Sequence, residues 1–262
     1  MTGEANDLFN RLKRILGTVD ARFADNEMQD SMECIFVILN RIKEYHQVPT
    51  VCRRVTSNEP NWVEETFFHE VVETFECISC GWSKDLKGQV EMGVYLDLEN
   101  DVRPGHDQHT SLQSLFTESF GQEERDVRCT FCGGSKAMST RKISRLPRVL
   151  SLYAKRFRNH ARGKDSRPVE IPEFVNVSEV LGQSVRLPDR NAEDKLVDVL
   201  HIGRKSLKDE EFKYKLSSVV SHFGVGMNSG HYVADVLRSN LGGLWFHCDD
   251  ERTTLTNSHS VR

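Results

Sequence analysis

Apolar positions recur every three or four residues at the start of the chain. In NDLFNRLKRILGTV, Leu8, Leu12, Ile15 and Leu16 share one helical face, and Gly17 is placed to stop the helix. A second helix is predicted over NEMQDSMECIFVILNRIKEY, with Ile35, Ile38, Leu39 and Ile42 as its buried stripe and Pro49 just past its end. From about Val71 the period shortens to two. GQVEMGVYLDLE sets Val94, Leu96 and Leu98 on one face of a strand. SLQSLFTESFG predicts a short helix, and SRLPRVLSLYAKRF a buried strand entered through Pro147. DRNAEDKLVDVLHIGRKSLKDEEFK is charged and reads as a surface excursion within the domain. Three strand-like runs follow: KLSSVVSHF, HYVADVLR and LWFHCDD. Helices first and antiparallel-looking strands later predict an α+β fold, not an alternating α/β one.

Composition adds limits to this pattern. The chain has 262 residues, 38% hydrophobic and 28% charged, enough for one large domain or two small ones. A net charge of −4 argues against a nucleic-acid binder or a basic membrane-surface protein. No apolar run approaches the roughly 20 residues that cross a bilayer, so no membrane partner is expected. The N-terminal MTGEANDLFNRLKR lacks the basic-then-apolar order of a secretory signal. The expected location is intracellular, in cytoplasm, nucleus or both. Seven cysteines, an odd number, point to reduced thiols and a metal site before disulfides.

Four of those cysteines form two C-x-x-C pairs, Cys77 with Cys80 and Cys129 with Cys132. Two intervening residues let both sulfurs of a turn reach one ion at about 2.3 Å. Two such turns complete a tetrahedral thiolate site for structural zinc. Gly81, Gly133 and Gly134 follow the pairs and suit tight turns. Residues 81 to 128 separate the pairs, far more than the roughly 15 to 20 of a compact zinc module. The site would therefore clip two distant strands together. Four reduced cysteines without metal are the alternative.

In NSGHYVADVLRSNLGGLWFHCDD, His231 follows Gly230 and starts a strand, and Asp249 comes at the end of the next one. A hairpin would return Asp249 to the imidazole, where a carboxylate fixes tautomer and orientation. The bland alternative is a strand-edge histidine with two solvated turn aspartates.

The chain resembles the ubiquitin-specific protease family at four places, in the family's order. NSGHYVADV with LWFHCDD resembles its histidine box. RCTFCGGSKAMSTRKISRLPRVLSLYAKRF resembles its second zinc pair followed by an LP-x-x-L-x-L-x-x-KRF segment. ECISCG resembles its first zinc pair, and FADNEMQDSMECIFVILNRIKE the helix usually written QQDAHEFL. The resemblance implies a hand-like, papain-related α+β fold with a helical thumb remnant, a β palm and zinc-tipped β fingers. It implies one domain over residues 1–262, with thumb in 1–50, fingers in 70–145 and palm in 146–262. It further implies thiol hydrolysis of the isopeptide bond after ubiquitin's C-terminal glycine, with ubiquitin or a ubiquitinated protein as partner. His231 is then the base, Asp249 its orienting acid and Asp250 a supporting polar group. Asp30 and Glu33 would face ubiquitin's basic tail, and Gly230 would let the loop before His231 approach it. Cys77, Cys80, Cys129 and Cys132 would hold the zinc.

One element departs from the family. Its cysteine box, G-L-x-N-x-G-N-T-C-Y, precedes the QQDAHEFL helix, and no cysteine precedes Cys34 here. Cys34 falls in an apolar helical stripe, where burial would raise its pKa. Cys52 has arginine neighbours but no asparagine motif, and Cys248 would face away from His231 if Asp249 faces it. Met32 stands where the family usually has histidine, and Ala154 where it has a large apolar residue. Three readings follow: a deubiquitinase domain incomplete at its N-terminus, a ubiquitin-binding pseudoprotease, and a zinc-stabilised interaction module without ubiquitin affinity.

Overall fold

The computed structural model describes residues 3–25, 27–47, 61–98, 110–157, 164–187, 212–226 and 229–261. In chain order these form α1 (Gly3–Val19), α2 (Ser31–Gln47), α3 (Trp62–Phe67), β1 (Phe68–Cys77), β2 (Ser83–Asp85), β3 (Gln89–Met92), β4 (Val94–Asp97) and β5 (Thr110–Ser111). There follow α4 (Leu112–Glu118), β6 (Glu123–Arg125), β7 (Ala137–Arg145), β8 (Leu152–Lys155), β9 (Val169–Glu170), β10 (Phe174–Asn176) and β11 (Leu181–Arg186). The chain closes with β12 (Lys213–Lys215), β13 (Ser218–Gly226), β14 (Ser229–Arg238), β15 (Leu244–Asp249), β16 (Arg252–Thr256) and α5 (Ser258–Val261). Two compact units result: residues 1–63, 156–167 and 216–262 form one, and 64–155 and 168–215 the other. Among the described residues no helix is long and apolar enough to cross a membrane.

In the first unit the predicted helices are present, with shifted details. Gly17 does not stop α1 but sits inside it, because a Cβ there would lie 2.8 Å from the Ala24 Cα. Its bare backbone lets the following turn pack against the helix. Of the predicted apolar face only Leu16 is buried; Leu8, Leu12 and Ile15 are exposed. α2 begins at Ser31, later than the sequence pattern suggests, because Asp30 caps it: the Asp30 carboxylate accepts from the Met32 and Glu33 N–H groups. The stripe is rotated as well. Met32 and Leu39, seven residues apart, are buried, while Ile35 is exposed. Pro49 and Cys52 lie outside the described residues. The same unit carries a four-stranded antiparallel sheet in the order β13–β14–β15–β16.

The second unit has its own core, built on Leu96, Leu98, Leu115, Phe116, Ile143 and Val177. Val94, Leu96 and Leu98 are buried together, as alternation predicts, with Gly93 at φ 72° turning the chain between β3 and β4. The short helix over SLQSLFTESFG is α4, capped by the Ser111 hydroxyl accepting from the Ser114 N–H. SRLPRVLSLYAKRF is not one strand. β7 ends at Arg145, and β8 starts only at Leu152, running parallel to β4. Between them Pro147 offers no N–H to a ladder. Its carbonyl instead accepts from the Tyr214 hydroxyl at 2.6 Å. The main sheet runs β11–β7–β1–β2, with β3 also on β1 and β6 also on β7. Most of the predicted surface excursion, its residues 189–211, lies outside the described residues.

β1 carries a buried histidine, His69, whose burial opposes its protonation. His69 has no exposed surface, and neither ring nitrogen has a hydrogen-bond partner. The nearest carboxylate, Glu91, lies 3.8 Å from Nε2 but is held at 2.7 and 2.9 Å by Arg141. Burial first, then the charges of Arg141 and Arg145, push the imidazole down to about 4 from 6.5. The unfolded chain binds this proton below 6.5 and the folded chain only below about 4. Stability should therefore fall as pH drops from 6.5 to 4, by up to about 3 kcal/mol. Thermal melts across that range should show His69→Phe losing measurably less stability than the unmodified chain. Equal losses in both would remove His69 as the cause.

Candidate active site

The β14–β15 hairpin determines where the histidine and aspartate meet. Gly242 and Gly243, at φ 75° and 77°, reverse the chain before β15. Pairing sets Asp235 opposite His247 and Ala234 opposite Cys248. Alternation then places His231 and Asp249 on the same face at one end of the hairpin. Their contact is short, His231 Nε2 to Asp249 Oδ1 at 2.6 Å, between residues 18 apart in sequence. With Nε2–H donating to the carboxylate, Nδ1 carries the ring's lone pair and is the basic atom. Both side chains are nearly half exposed, so the pair is open to a reactant. The hydrogen bond to Asp249 raises the His231 pKa against a small cost of burial, helped by the charge of Asp250. The same bond lowers Asp249. Asp250 sits in the β15–β16 turn at φ 48°, a left-handed conformation that aspartate tolerates better than most residues.

Gly230 meets a residue that the sequence did not single out. Its φ is 153°, and a Cβ there would lie 2.3 Å from His222 Nε2 and 2.4 Å from the Phe223 carbonyl oxygen. Only glycine fits. The His222 ring packs on Tyr232 at 4.7 Å between centroids and on Phe157 at 6.1 Å. Lys164 Nζ donates to the His222 carbonyl and lies 3.3 Å from its Nδ1. An ammonium has only protons to give, so Nδ1 must accept and the ring is neutral. Burial, then the Lys164 charge, lowers His222, while Asp30 opposes them. Asp30, Tyr232 and Gly230 are thus gathered around the His222 imidazole. The only hint in sequence is the SHFG run nine residues before His231. Glu33 lies elsewhere in the network: its carboxylate takes Arg22 at 2.5 Å, and Arg22 also holds Asp20.

The four paired cysteines converge in the second unit. Their sulfurs all lie within 4.8 Å of one another, with Cys77 to Cys132 at 3.6 Å and Cys80 to Cys129 at 3.9 Å. This cluster could hold a metal ion. It closes one end of the β1–β7 ladder, whose last pair is Cys77 opposite Ala137. Gly81 and Gly133, at φ 71° and 79°, complete the two turns. A Cβ on Gly134 would press on the Ser79 hydroxyl and the Cys132 sulfur. The turn N–H groups point inward: Phe131 N–H reaches Cys129 Sγ, and Gly134 N–H reaches Cys132 Sγ, each at 3.4 Å. The Cys132 N–H, against the cost of burial and with the Phe131 N–H, brings the Cys129 thiol down to about 6. Such a sulfur is ready to bind as thiolate.

Two further cysteines lie among the described residues. Cys34 is half-buried in α2, and burial raises its pKa. Cys248 pairs with Ala234 and points to the sheet face opposite Asp249.

A family model described as ubiquitin carboxyl-terminal hydrolase matches residues 9–262. Over 269 residues the chain is 26% identical to ubiquitin carboxyl-terminal hydrolase 44 of Ailuropoda melanoleuca, covering 91% of this chain and 35% of that protein. Over 208 residues it is 29% identical to the probable ubiquitin carboxyl-terminal hydrolase creB of Aspergillus flavus, covering 79% of this chain and 24% of that one. The chain thus spans about a third or less of the length of these relatives. Among solved structures it resembles a chain of the SAGA Ubp8/Sgf11/Sus1/Sgf73 DUB module bound to ubiquitin aldehyde. The TM-score is 0.72 at 21% identity, covering 97% of this chain and 51% of that one. That likeness shows the fold, an α+β fold of the papain-related kind expected from the sequence.

The hydrogen bond at Asp249 gives a direct test of the pair. The His231 ring should titrate above its ordinary 6.5 in the 262-residue chain, with its neutral form protonated on Nε2. In Asp249→Asn its midpoint should fall back toward 6.5. Ring nitrogen shifts followed by NMR against pH measure both. A midpoint that does not move would mean that the contact is absent in solution. By linkage the pair stabilises the fold between the two titrations, and its contribution fades as pH rises through the raised His231 value.

Proposed function

Because the chain belongs to the ubiquitin carboxyl-terminal hydrolase family, we propose that it carries the base, the orienting acid and the ubiquitin-tail surface of a cysteine-type deubiquitinase. The observation that supports this most is the 2.6 Å contact between His231 Nε2 and Asp249, which leaves Nδ1 as the base. A thiol held against Nδ1 loses its proton there. The thiolate attacks the carbonyl carbon of ubiquitin's C-terminal glycine, and the Nδ1–H proton passes to the departing lysine amine. Water, activated by the same nitrogen, then hydrolyses the thioester. Asp249 holds the tautomer and steadies the imidazolium, and Asp250 adds negative charge beside it. Asp30 faces the basic tail of ubiquitin, and Gly230 lets that tail pass close to the backbone. Glu33 belongs to the same acidic set, its charge partly answered by Arg22.

In this reading residues 1–50 contribute to the thumb, 70–145 to the fingers and 146–262 to the palm. The fingers' metal is zinc, held by Cys77, Cys80, Cys129 and Cys132. Four thiolates fill a tetrahedral shell and leave no open position, so the ion stabilises the fold and takes no part in the reaction. Reduced paired thiols fit a chain that works inside the cell, in cytoplasm, nucleus or both.

Zinc should be present at about one ion per chain and matter to folding. Chelation, or Cys129→Ser, should lower the thermal midpoint by several degrees, since binding energy at a structural site is folding energy. Elemental analysis finding no zinc, with melting unchanged by chelator, would overturn the assignment.

Ubiquitin should bind this chain saturably without being cleaved by it. Among the described cysteines, four are clustered, Cys34 is half-buried and Cys248 faces away, so a ubiquitin C-terminal electrophile should label none of these six. A cysteine-box segment supplied with it should restore hydrolysis of a C-terminal reporter, and His231→Ala should abolish that activity. For the tail contact the informative change is Asp30→Asn, which keeps the α2 cap but removes the charge. It should weaken ubiquitin binding several-fold in a calorimetric titration. Binding without restored hydrolysis would favour the pseudoprotease, and no binding at all would leave only the interaction module.

A further inference from the structure

The sheet face that carries His231 and Asp249 carries a second imidazole–carboxylate pair. Asp235 stands directly opposite His247, and His247 Nδ1 lies 2.8 Å from Asp235 Oδ1. Alternation puts His231 and Asp235 on one side of β14, and His247 and Asp249 on the same side of β15. The Asp235 side chain is only 13% exposed, a burial that a carboxylate keeps only with a partner. His247 and Asp249 are two residues apart on one strand, about 7 Å at the usual rise. Asp249 therefore lies between two imidazoles, hydrogen-bonded to one and within the field of the other. The charge of His247 is among the influences that lower Asp249. Among the described residues, the titratable groups around this carboxylate are His231 and Asp235 from β14, His247 and Asp250 from its own strand and turn, and Arg252 opposite it on β16. Thr254, opposite His247, brings no charge.

We propose that Asp235 and His247 are positioning residues that act on His231 through Asp249, setting how strongly that carboxylate supports the base. A proton on His247 draws the Asp249 charge toward itself and places a second cation near the His231 ring. Both effects oppose protonation of His231. Asp235 holds His247 by Nδ1, which fixes the ring's distance from Asp249. The two histidines are thus coupled through Asp249, which bonds one and lies in the field of the other, and the readiness of His231 to take a proton depends on the charge of His247. This rests on the reading of His231 and Asp249 as base and acid.

The test needs no nucleophile and uses the 262-residue chain itself. Ring nitrogen NMR should find neutral His247 protonated on Nδ1, the nitrogen that faces Asp235. The His231 titration should be broader than a single-site curve. In His247→Phe the curve should become single-site and its midpoint should rise, because the cation beside the Asp249 carboxylate is gone. His247→Gln should do the same if the phenylalanine variant fails to fold. A single-site His231 curve in the unmodified chain, unmoved in either variant, would overturn the proposal. Failure of the catalytic reading shows differently, as hydrolysis that survives His231→Ala once a thiol is supplied; it leaves the ring titrations untouched.

Discussion

The register of one antiparallel ladder determines whether there is a site at all. β14 and β15 pair with Asp235 opposite His247 and Ala234 opposite Cys248. That pairing brings Asp249 round to His231 on a shared face. A slip of one residue would turn every side chain of β15 over, present Cys248 where Asp249 now stands, and leave the imidazole with no acceptor. What holds the register is ordinary sheet chemistry. Val233 and Trp245 are buried on the same face, so a slip would expose both. Gly242 and Gly243 take left-handed conformations that fix the hairpin's length. The chemistry at the exposed end is thus anchored by apolar burial further along the same strands.

The second unit is held by a comparable device. β1 and β7 pair over eight residues of β1 from Glu70, with an irregularity after it. A long ladder of this kind projects beyond a core on Leu96, Phe116 and Ile143 and cannot bury both its faces. The apolar residues at its far end, Ile78, Trp82 and Phe131 among them, are exposed and do not hold it. The four cysteines close that end, and the N–H groups of the two turns are already aimed at their sulfurs. The wide sequence gap between the pairs is the natural result of clamping two long strands at their tips. A compact local finger would need no such gap.

Much of this was legible because it follows from short-range rules. Alternation found the buried face of Val94, Leu96 and Leu98, and the spacing of the cysteines found the cluster. The GHY and CDD runs were legible as a pair because residues 18 apart, on two strands joined by a glycine turn, can return to the same end of a hairpin. The misplaced features depend on neighbours that a linear pattern cannot see. Gly17 reads as a helix stop until Ala24 is known to press on it. The stripe of α2 is rotated because Met32 and Leu39, not Ile35, meet the packing surface. His222 was missed for the same reason. Its importance comes from touching Gly230, and a histidine in the middle of a strand carries no such sign. Glu33 looks like a free carboxylate until Arg22 is seen to hold it.

The arrangement around Gly230 shows how the proposed base and its supports are held by restraints within the sheet and the segments packed on it. His231 takes its position from a strand, its tautomer from Asp249, and its approach path from a glycine that His222 and Phe223 leave no room to replace. Lys164 in turn fixes the state of His222. Each of these restraints is local to the sheet and the segments packed on it. A thiol entering such a site would meet an imidazole already oriented, with Nε2 committed to Asp249 and only Nδ1 available. The proton can then move to one atom only. That selectivity comes from a hydrogen bond made in advance, and it would serve any nucleophile held on that side of the ring.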